Sequence, residues 1–167
     1  MTRKDRLYLR MAFIWAENSY AVRLRVGCLI VKDGVIISDG YNGTPSGFPN
    51  VCEYAVDDED EIHPDSTEKL RHLSEQGWKL ITYPYVLHAE SNAITKFAKH
   101  GNAASGATIY VTDEPCLECA KLIIQTGIAR VVYSRPYRKH DGIELLKRAN
   151  IVIDNIPFNE LGIKNNQ

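Results

Sequence analysis

The chain has 167 residues and a mass of 18.9 kDa, a length typical of one domain. Its composition of 44% apolar and 25% charged residues is ordinary for a globular protein, and it excludes disorder, collagen and coiled coil as descriptions of the whole chain. The 20 basic and 21 acidic residues leave a net charge of −1, which disfavours a nucleic-acid partner because such proteins usually present a basic surface.

The N-terminal part of the chain predicts a helix followed by a hairpin. Four apolar residues lie at helical spacing: Leu7, Met11, Ile14 and Trp15. They predict an amphipathic helix. Residues 26–31 and 35–37 are apolar and β-rich, and Asp33-Gly34 between them favours a tight turn, so they predict an antiparallel hairpin.

Residues 50–85 are the least regular part of the sequence, and we interpret them as an irregular insertion. Residues 53–61 carry six acids and no base, which predicts a solvated, mobile loop. Within the insertion, Ser66 is placed to cap a short helix that extends through Gln76.

The second half of the chain alternates between helices and strands. Helices are predicted over residues 89–99, 116–126 and 141–149, and strands over residues 107–111, 130–133 and 151–153. This alternation implies βαβ crossovers and parallel strands. We therefore expect one α/β domain over residues 1–167, in which a mixed five-stranded sheet combines the antiparallel hairpin with parallel strands and carries helices on both faces.

The sequence does not indicate export or membrane insertion. The N-terminal segment is amphipathic and unlike a signal peptide, and no stretch approaches eighteen consecutive apolar residues. Four cysteines are too few for a disulfide framework in a chain of this length. We expect a soluble, reduced, cytoplasmic protein without a membrane partner.

Three residues have the chemistry of a metal site. His88 precedes a predicted helix, and Cys116 and Cys119 lie at the start of the next one. One imidazole and two thiolates are ligands that zinc prefers, and three protein ligands leave a fourth tetrahedral position for water, as in catalytic sites. The positive end of a helix dipole also favours the thiolate form of a cysteine.

Glu90 is the candidate proton carrier at this site. It lies two residues after His88, so on a helix the two side chains point in different directions. His88 can then hold the metal while Glu90 exchanges protons with the water at the open position. Taken alone, Cys-x-x-Cys would also suit a structural zinc or a redox pair. In this order, and with Pro115 before Cys116, the residues match the zinc deaminase signature H-x-E…P-C-x-x-C.

Three segments together resemble the zinc-dependent deoxycytidylate (dCMP) deaminases, in particular the phage and eukaryotic members. They are Gly40-Tyr41-Asn42-Gly43-Thr44-Pro45, His88-Ala89-Glu90-Ser91-Asn92-Ala93-Ile94 and Pro115-Cys116-Leu117-Glu118-Cys119-Ala120-Lys121. The similarity covers roughly residues 3–157. It implies the three-layer α/β/α fold of cytidine deaminases and the hydrolysis of dCMP to dUMP and ammonia, which supplies dUMP for thymidylate synthesis.

The resemblance also implies roles for particular residues. His88, Cys116 and Cys119 correspond to the zinc ligands and Glu90 to the proton shuttle. The substrate-binding positions of the family fall on Asn42, Ala89 and Tyr137, with Asn42 bonded to the nucleotide sugar. For the substrate phosphate, the sequence itself offers the basic and hydroxyl residues near the hairpin, which are Arg23, Arg25, Thr44 and Ser46.

Family members are typically hexamers that dCTP activates together with Mg²⁺ and that dTTP inhibits. The resemblance therefore implies a homo-oligomer and a regulatory nucleotide near Tyr41, Gly43, Asn92 and Lys99. Some relatives hold a second, structural zinc in the insertion, for which Cys52, His63 and His72 are available here. If the chain is encoded by a phage, its expected location is the cytoplasm of the host.

Three other functions remain open from the sequence. One is deamination of another substrate, such as cytidine, a tRNA adenosine, guanine or a base in single-stranded nucleic acid. The second is a zinc-stapled binding module without turnover, which leaves Glu90 without a role. The third is a thiol redox protein that uses Cys116 and Cys119, which leaves His88 and Glu90 unexplained.

Overall fold

A computed structural model describes residues 1–99, 104–137 and 139–163. The strands are β1 (Gly27–Lys32), β2 (Val35–Tyr41), β3 (Glu53–Val56), β4 (Glu61–Ile62), β5 (Lys79–Thr82), β6 (Thr108–Asp113), β7 (Arg130–Arg135) and β8 (Val152–Asn155). The helices are α1 (Arg3–Ala16), α2 (Thr67–Glu75), α3 (Ala89–Lys99), α4 (Leu117–Gln125) and α5 (Asp141–Arg148), followed by a 3₁₀ turn at Phe158–Leu161. None of the helices in these ranges has the length and apolar character needed to cross a membrane.

A mixed five-stranded sheet forms the middle layer, with strand order β2-β1-β6-β7-β8. β1 pairs antiparallel with both β2 and β6, whereas β6, β7 and β8 run parallel to one another. One apolar core lies between this sheet and α3, α4 and α5, and a second lies between the opposite face and α1 with the 3₁₀ turn. The predicted α/β fold, with a mixed five-stranded sheet and helices on both faces, is confirmed.

The turn between β1 and β2 has the geometry that an Asp-Gly pair favours. Asp33 has φ of 51° and Gly34 has φ of 78°, so both lie in the left-handed region required by a type I′ turn. β2 extends to Tyr41, which places the start of the Gly-Tyr-Asn-Gly segment at the end of a strand.

Helix α1 is present as predicted, but the apolar stripe that predicted it faces away from the sheet. Its buried residues are Asp5, Leu9, Ala12 and Ala16. Leu7, Met11, Ile14 and Trp15 are exposed, with Ile14 at 63%. The buried face of α1 is therefore not the face that carries the apolar spacing. The sheet takes the face with two alanines because small side chains let the helix lie close to β1 and β6.

The insertion is more regular than the sequence predicted. It contains a three-stranded antiparallel sheet of order β4-β3-β5, and α2 begins at the predicted cap Ser66. Glu53, which we assigned to a solvated loop, is 1% exposed in β3 and accepts hydrogen bonds from the backbone N–H groups of Val22 and Arg23.

The assignment of residues 1–167 to a single domain stays a prediction.

Two close contacts in the fold place the segments that carry the candidate site. A Cβ atom on Gly40 in β2 would lie 2.2 Å from the Ala89 carbonyl oxygen, so only glycine lets α3 pack this close to β2. A Cβ on Gly142 in α5 would lie 2.1 Å from the Pro115 carbonyl oxygen. α3 and the start of α4 are therefore held by direct backbone contact.

A buried charged cluster ties α1 to the sheet. Asp5 accepts hydrogen bonds from Arg130 Nη1 at 2.7 Å and from the Tyr110 hydroxyl at 2.8 Å, and its carboxylate also caps α1 through the Thr2 backbone N–H. Burial alone would raise the pKa of the Asp5 carboxyl, but the hydrogen bonds from Arg130, Thr2 and Tyr110 together hold it well below its usual value.

The substitution Asp5→Asn tests this cluster. We expect the free energy of unfolding at pH 7 to fall by roughly 2–3 kcal/mol, because Arg130 loses a buried carboxylate partner. The folded-state pKa of Asp5 is depressed, so its contribution is complete above the ordinary pKa of 3.8 and is lost as the pH falls below it. Urea unfolding should therefore show a difference between variant and wild type that shrinks below pH 4.

The control for this prediction is Asp65→Asn. Asp65 forms a surface pair with Lys69, and both side chains are largely exposed. We expect little change in stability from this variant, because exposed ion pairs contribute little. An Asp5→Asn difference that persisted undiminished at acidic pH would contradict the role of the Asp5 charge.

Candidate active site

Two helix N-termini meet at one end of the central sheet. His88 directly precedes α3, while Cys116 is the N-cap residue of α4 and Cys119 lies in its first turn. β6 leads into α4, so the cysteines stand beyond the carboxyl end of β6. This is the edge at which ligands bind in open α/β sheets.

The three predicted ligands form a compact triangle. The His88 Nδ1 atom lies 3.4 Å from the sulfur of Cys116 and 3.4 Å from that of Cys119, and the three ligand atoms lie within 4.8 Å of one another. Zinc bonds to nitrogen and sulfur at tetrahedral angles put these atoms about 3.5 Å apart, so the triangle fits zinc. Among the described residues, it is the one group of histidine, cysteine and acidic side chains close enough to share a metal ion.

The two thiols of the triangle share one negative charge, which lies on Cys116: its hydrogen bond with Cys119, together with burial, raises the pKa of the Cys119 thiol. The hydrogen bond from Cys119 and the neighbouring His88 ring lower the pKa of the Cys116 thiol to about 3 despite its burial. Cys116 also stands at the N-terminus of α4, where the helix dipole favours negative charge. A divalent cation between the sulfurs would stabilise the thiolate form of both.

Glu90 is buried beside the triangle. It is 4% exposed on the first turn of α3, and its carboxyl contacts the Cys119 thiol. Burial raises the pKa of Glu90 to about 7. A carboxyl in this environment can both accept and donate a proton near neutral pH, as a proton shuttle must.

A cavity of about 520 Å³ opens over these residues. Its volume falls in the range of sites for small ligands. The predicted residues that line it are Arg23, Asn42, His88, Ala89, Glu90, Cys116 and Tyr137. A larger and more open cleft of about 980 Å³ lies between β4 and α2, and its lining contains none of the three candidate ligands.

Other predicted binding residues lie away from this cavity. Arg25, Thr44 and Ser46 are not among the described residues that line it. The Arg25 Nε donates to the Ala21 carbonyl oxygen at 3.4 Å, and Ser46 is exposed in the loop after β2. Their contribution to substrate binding stays a prediction.

Asn42 lines the cavity but is already bonded to the backbone. Its Oδ1 accepts from the Val26 N–H and its Nδ2 donates to the Leu24 carbonyl oxygen, both at 2.8 Å. One N–H of the amide and one oxygen lone pair remain for a ligand. Asn42 therefore also holds the segment between Leu24 and Val26 against the cavity.

The residues predicted to contact a regulatory nucleotide are only partly brought together. Asn92 Nδ2 donates to the Tyr41 carbonyl oxygen at 2.9 Å, and Gly43 forms a backbone bridge with Leu87. Lys99 lies at the opposite end of α3, about 15 Å along the helix axis from its start.

The sequence analysis missed four charged residues that line the cavity: Glu53, Asp113, Glu114 and Arg135. Arg135 Nη2 pairs with Asp113 at 2.6 Å, so their charges are compensated within the wall. Glu114 directly precedes Pro115 and Cys116, and this adjacency was the one sequence signal that could have identified it. Glu53 and Arg135 come from distant segments and carry no comparable signal.

The three residues available for a second zinc are not brought together. Cys52 is 1% exposed, and burial raises the pKa of its thiol to about 11. His63 stacks on Tyr54 and pairs with Glu61, while His72 Nε2 contacts Gln76. Within the described ranges, these residues form no candidate metal group.

Comparison with known proteins agrees with this geometry. Residues 2–135 match the family described as "Cytidine and deoxycytidylate deaminase zinc-binding region". The deoxycytidylate deaminase of Enterobacteria phage T4 is 35% identical over an alignment of 178 residues. The alignment covers 92% of this chain and 90% of the phage protein. The human deoxycytidylate deaminase is 37% identical over 139 residues, covering 82% of this chain and 67% of the human protein.

A solved structure is also similar over most of the chain. The crystal structure of dCMP deaminase from the cyanophage S-TIM5, in complex with dCMP and dUMP, superposes with a TM-score of 0.72 at 31% sequence identity. The match covers 93% of this chain and 99% of the cyanophage chain.

Metal analysis of the purified protein tests the triangle. We expect one zinc ion per chain by mass spectrometry, and we expect Cys119→Ala to weaken zinc binding by at least about 100-fold because it removes a direct ligand. The matched control is Cys52→Ala, which should keep the wild-type zinc content. Two ions per chain, with one lost in Cys52→Ala, would instead indicate a second site in the insertion.

Proposed function

The chain belongs to the cytidine and deoxycytidylate deaminase family, and on this premise we propose that it hydrolyses dCMP to dUMP and ammonia. The observation that carries the proposal is the buried Glu90 carboxyl in contact with Cys119 of the His-Cys-Cys triangle, at the base of a cavity of small-ligand size. The dUMP formed would supply thymidylate synthesis.

The chemistry follows from the position of Glu90. His88, Cys116 and Cys119 would hold zinc, which would supply a Lewis acid that makes a water molecule easier to deprotonate. Glu90 accepts one proton from this water as the oxygen bonds to C4 of cytosine, and it delivers that proton to N3. Glu90 then carries the second proton from the added oxygen to the amino group, so the C4–N bond breaks and ammonia leaves.

The cavity supports a mononucleotide as the substrate. Its volume of about 520 Å³ suits one nucleotide, and Tyr137, which is 46% exposed, stands on its wall. Ala89 also lines the cavity, and Asn42 keeps one N–H for the sugar. The net charge of −1 disfavours a polymeric substrate.

Arg23 is the residue we assign to the substrate phosphate. It lines the cavity, and its Nη1 donates to the Thr82 hydroxyl at 2.9 Å, which orients the guanidinium. The remaining donors of an exposed guanidinium can bond a phosphate in a bidentate manner. Arg25, Thr44 and Ser46 are secondary candidates.

The proposal includes regulation by dCTP with Mg²⁺ as activator and by dTTP as inhibitor. The residues assigned to this nucleotide are Tyr41, Gly43, Asn92 and Lys99. The hydrogen bond between Asn92 and Tyr41 supports the assignment, because it links the strand that ends at Tyr41 to the helix that carries Glu90. A nucleotide bound there could shift α3 and with it the proton shuttle.

The proposal also includes a homo-oligomer, a hexamer by family resemblance. The exposed apolar stripe of α1 supports association, because it repeats at Leu7, Met11 and Ile14 on a face that no described residue of the chain covers. The proposed location is the cytoplasm, which is the host cytoplasm if a phage encodes the chain. Similarity to phage enzymes supports the latter.

A substrate panel tests the proposed function. We expect ammonia release from dCMP and much less from cytidine, deoxycytidine or a cytosine-containing oligonucleotide. These three compounds lack a terminal phosphate at the right distance from the base. The measurement is repeated with dCTP·Mg²⁺ and with dTTP. Equal or higher rates on the oligonucleotide would contradict the proposal, and no release from any cytosine compound would favour a binding module.

The matched variant for the panel is Glu90→Gln, which keeps the size of the side chain and removes the proton shuttle. We expect zinc content to be unchanged and turnover of dCMP to fall by about 10²–10⁴-fold. Turnover near that of the wild type would rule out the role given to Glu90.

The phosphate assignment is tested with Arg23→Ala. We expect KM for dCMP to rise by about 10–100-fold, because a charge-assisted hydrogen bond to the phosphate is lost, while the low activity on deoxycytidine stays the same. Arg25→Ala should have a smaller effect, since Arg25 is not on the cavity wall. The assignment fails if the two variants change KM equally or if deoxycytidine turnover falls as much as dCMP turnover.

A further inference from the structure

One buried carboxylate joins the loop after β7 to the strand that leads into the metal-site motif. The Glu114 side chain has no exposed surface, and its carboxylate lies 2.8 Å and 3.0 Å from the Nδ1 atom of His140. The same carboxylate accepts the Tyr137 backbone N–H at 3.2 Å. The Glu114 backbone N–H donates to the Arg135 carbonyl oxygen at 2.9 Å.

Glu114 is itself held tightly against the metal-site segment. It is followed by Pro115 and then by Cys116, the N-cap residue of α4. The close approach of Gly142 to the Pro115 carbonyl oxygen packs the start of α5 on the same segment. The loop is therefore anchored to a part of the chain whose position relative to the metal ligands cannot vary much.

Packing alone does not account for an acidic residue at this position. A buried carboxylate is costly unless hydrogen bonds and a positive partner offset its desolvation, and an apolar side chain would fill the same space without that cost. The two groups bonded to the Glu114 carboxylate, the Tyr137 backbone N–H and the His140 ring, both follow β7, and Tyr137 also lines the cavity.

We propose that Glu114 is a positioning residue that fixes the Tyr137 backbone and the His140 ring, and so holds Tyr137 in place to contact the substrate. This inference rests on the proposed function, since it assumes that the nucleotide occupies the cavity. Glu114 belongs to the cavity wall, but its side chain has no exposed surface, so we assign it an indirect role. It acts by reducing the conformational freedom that Tyr137 would otherwise lose when the substrate binds.

The variant Glu114→Ala tests this role through the separation of KM from kcat. We expect KM for dCMP to rise by about tenfold while kcat changes by less than about threefold, because proton transfer by Glu90 does not involve Tyr137. Zinc content should remain at the wild-type level. His140→Ala, which removes an exposed partner of the carboxylate, should raise KM in the same direction by a smaller factor.

A double-mutant cycle with Tyr137→Ala separates positioning from a merely structural role. If Glu114 acts through Tyr137, then Glu114→Ala should raise KM by less than about twofold when Tyr137 is already alanine. Independent, multiplicative effects of the two substitutions on KM would overturn the proposal, as would a loss of kcat at constant KM.

Amide hydrogen exchange gives a readout that does not depend on the substrate. We expect the Tyr137 amide to exchange faster in Glu114→Ala than in the wild type, because it loses its acceptor. Glu144→Ala is the matched control, since Glu144 is an exposed acid in the first turn of α5. Unchanged exchange at Tyr137 would overturn the positioning role of Glu114 even if the enzyme is active.

If the wild type failed to deaminate dCMP, faster exchange in Glu114→Ala would still show that Glu114 fixes Tyr137. Failure of the proposed function can therefore be distinguished from failure of the positioning role.

Discussion

The site depends on the contact between two helix N-termini at one end of the sheet. His88 and Cys116 are 28 positions apart in the chain, yet their ligand atoms lie 3.4 Å apart. Backbone contacts that leave no room for a Cβ atom, at Gly40 against α3 and at Gly142 of α5 against Pro115 just before α4, hold both helices in place. A metal centre needs this rigidity, because ligands displaced by 1 Å no longer fit the bond lengths of the ion.

The acidic residues around the cavity are of two kinds. Some have carboxylates that hydrogen bonds stabilise, and one lies beside the ligand triangle. The carboxylates of Glu53, Asp113 and Glu114 accept hydrogen bonds from backbone N–H groups or from basic side chains. Glu90 is also buried, but it contacts a thiol of the ligand triangle and its pKa is raised to about 7 by burial. Burial also raises the pKa of Glu53, but two backbone N–H groups bind its carboxylate, so Glu90 is distinguished by its contact with the ligand triangle.

In two places the structure differs from what the sequence pattern indicates, and the two differences have a common physical cause. Helical periodicity shows that α1 has an apolar stripe, but it does not show which face meets the sheet. The face with Ala12 and Ala16 permits a closer approach, and Asp5 is acceptable there only because Arg130, 125 positions away, reaches it. In the insertion, the acidic composition indicated a solvated loop, whereas Glu53 is buried because two backbone N–H groups from a separate segment bind its carboxylate.

The sequence by itself identified the elements of the central fold, the three residues that form the His-Cys-Cys triangle, and the family, and it singled out Glu90 as the candidate proton carrier. These properties depend on local periodicity, on turn residues such as Asp33-Gly34 and on short spacings within one helix turn. Only the tertiary structure decided which charged residues form the cavity wall, that Arg23 and not Arg25 lines the cavity, and that Glu114 accepts the Tyr137 backbone N–H. Such relations join segments far apart in the chain, and their energies come from burial and hydrogen bonding that exist only after the segments have packed together.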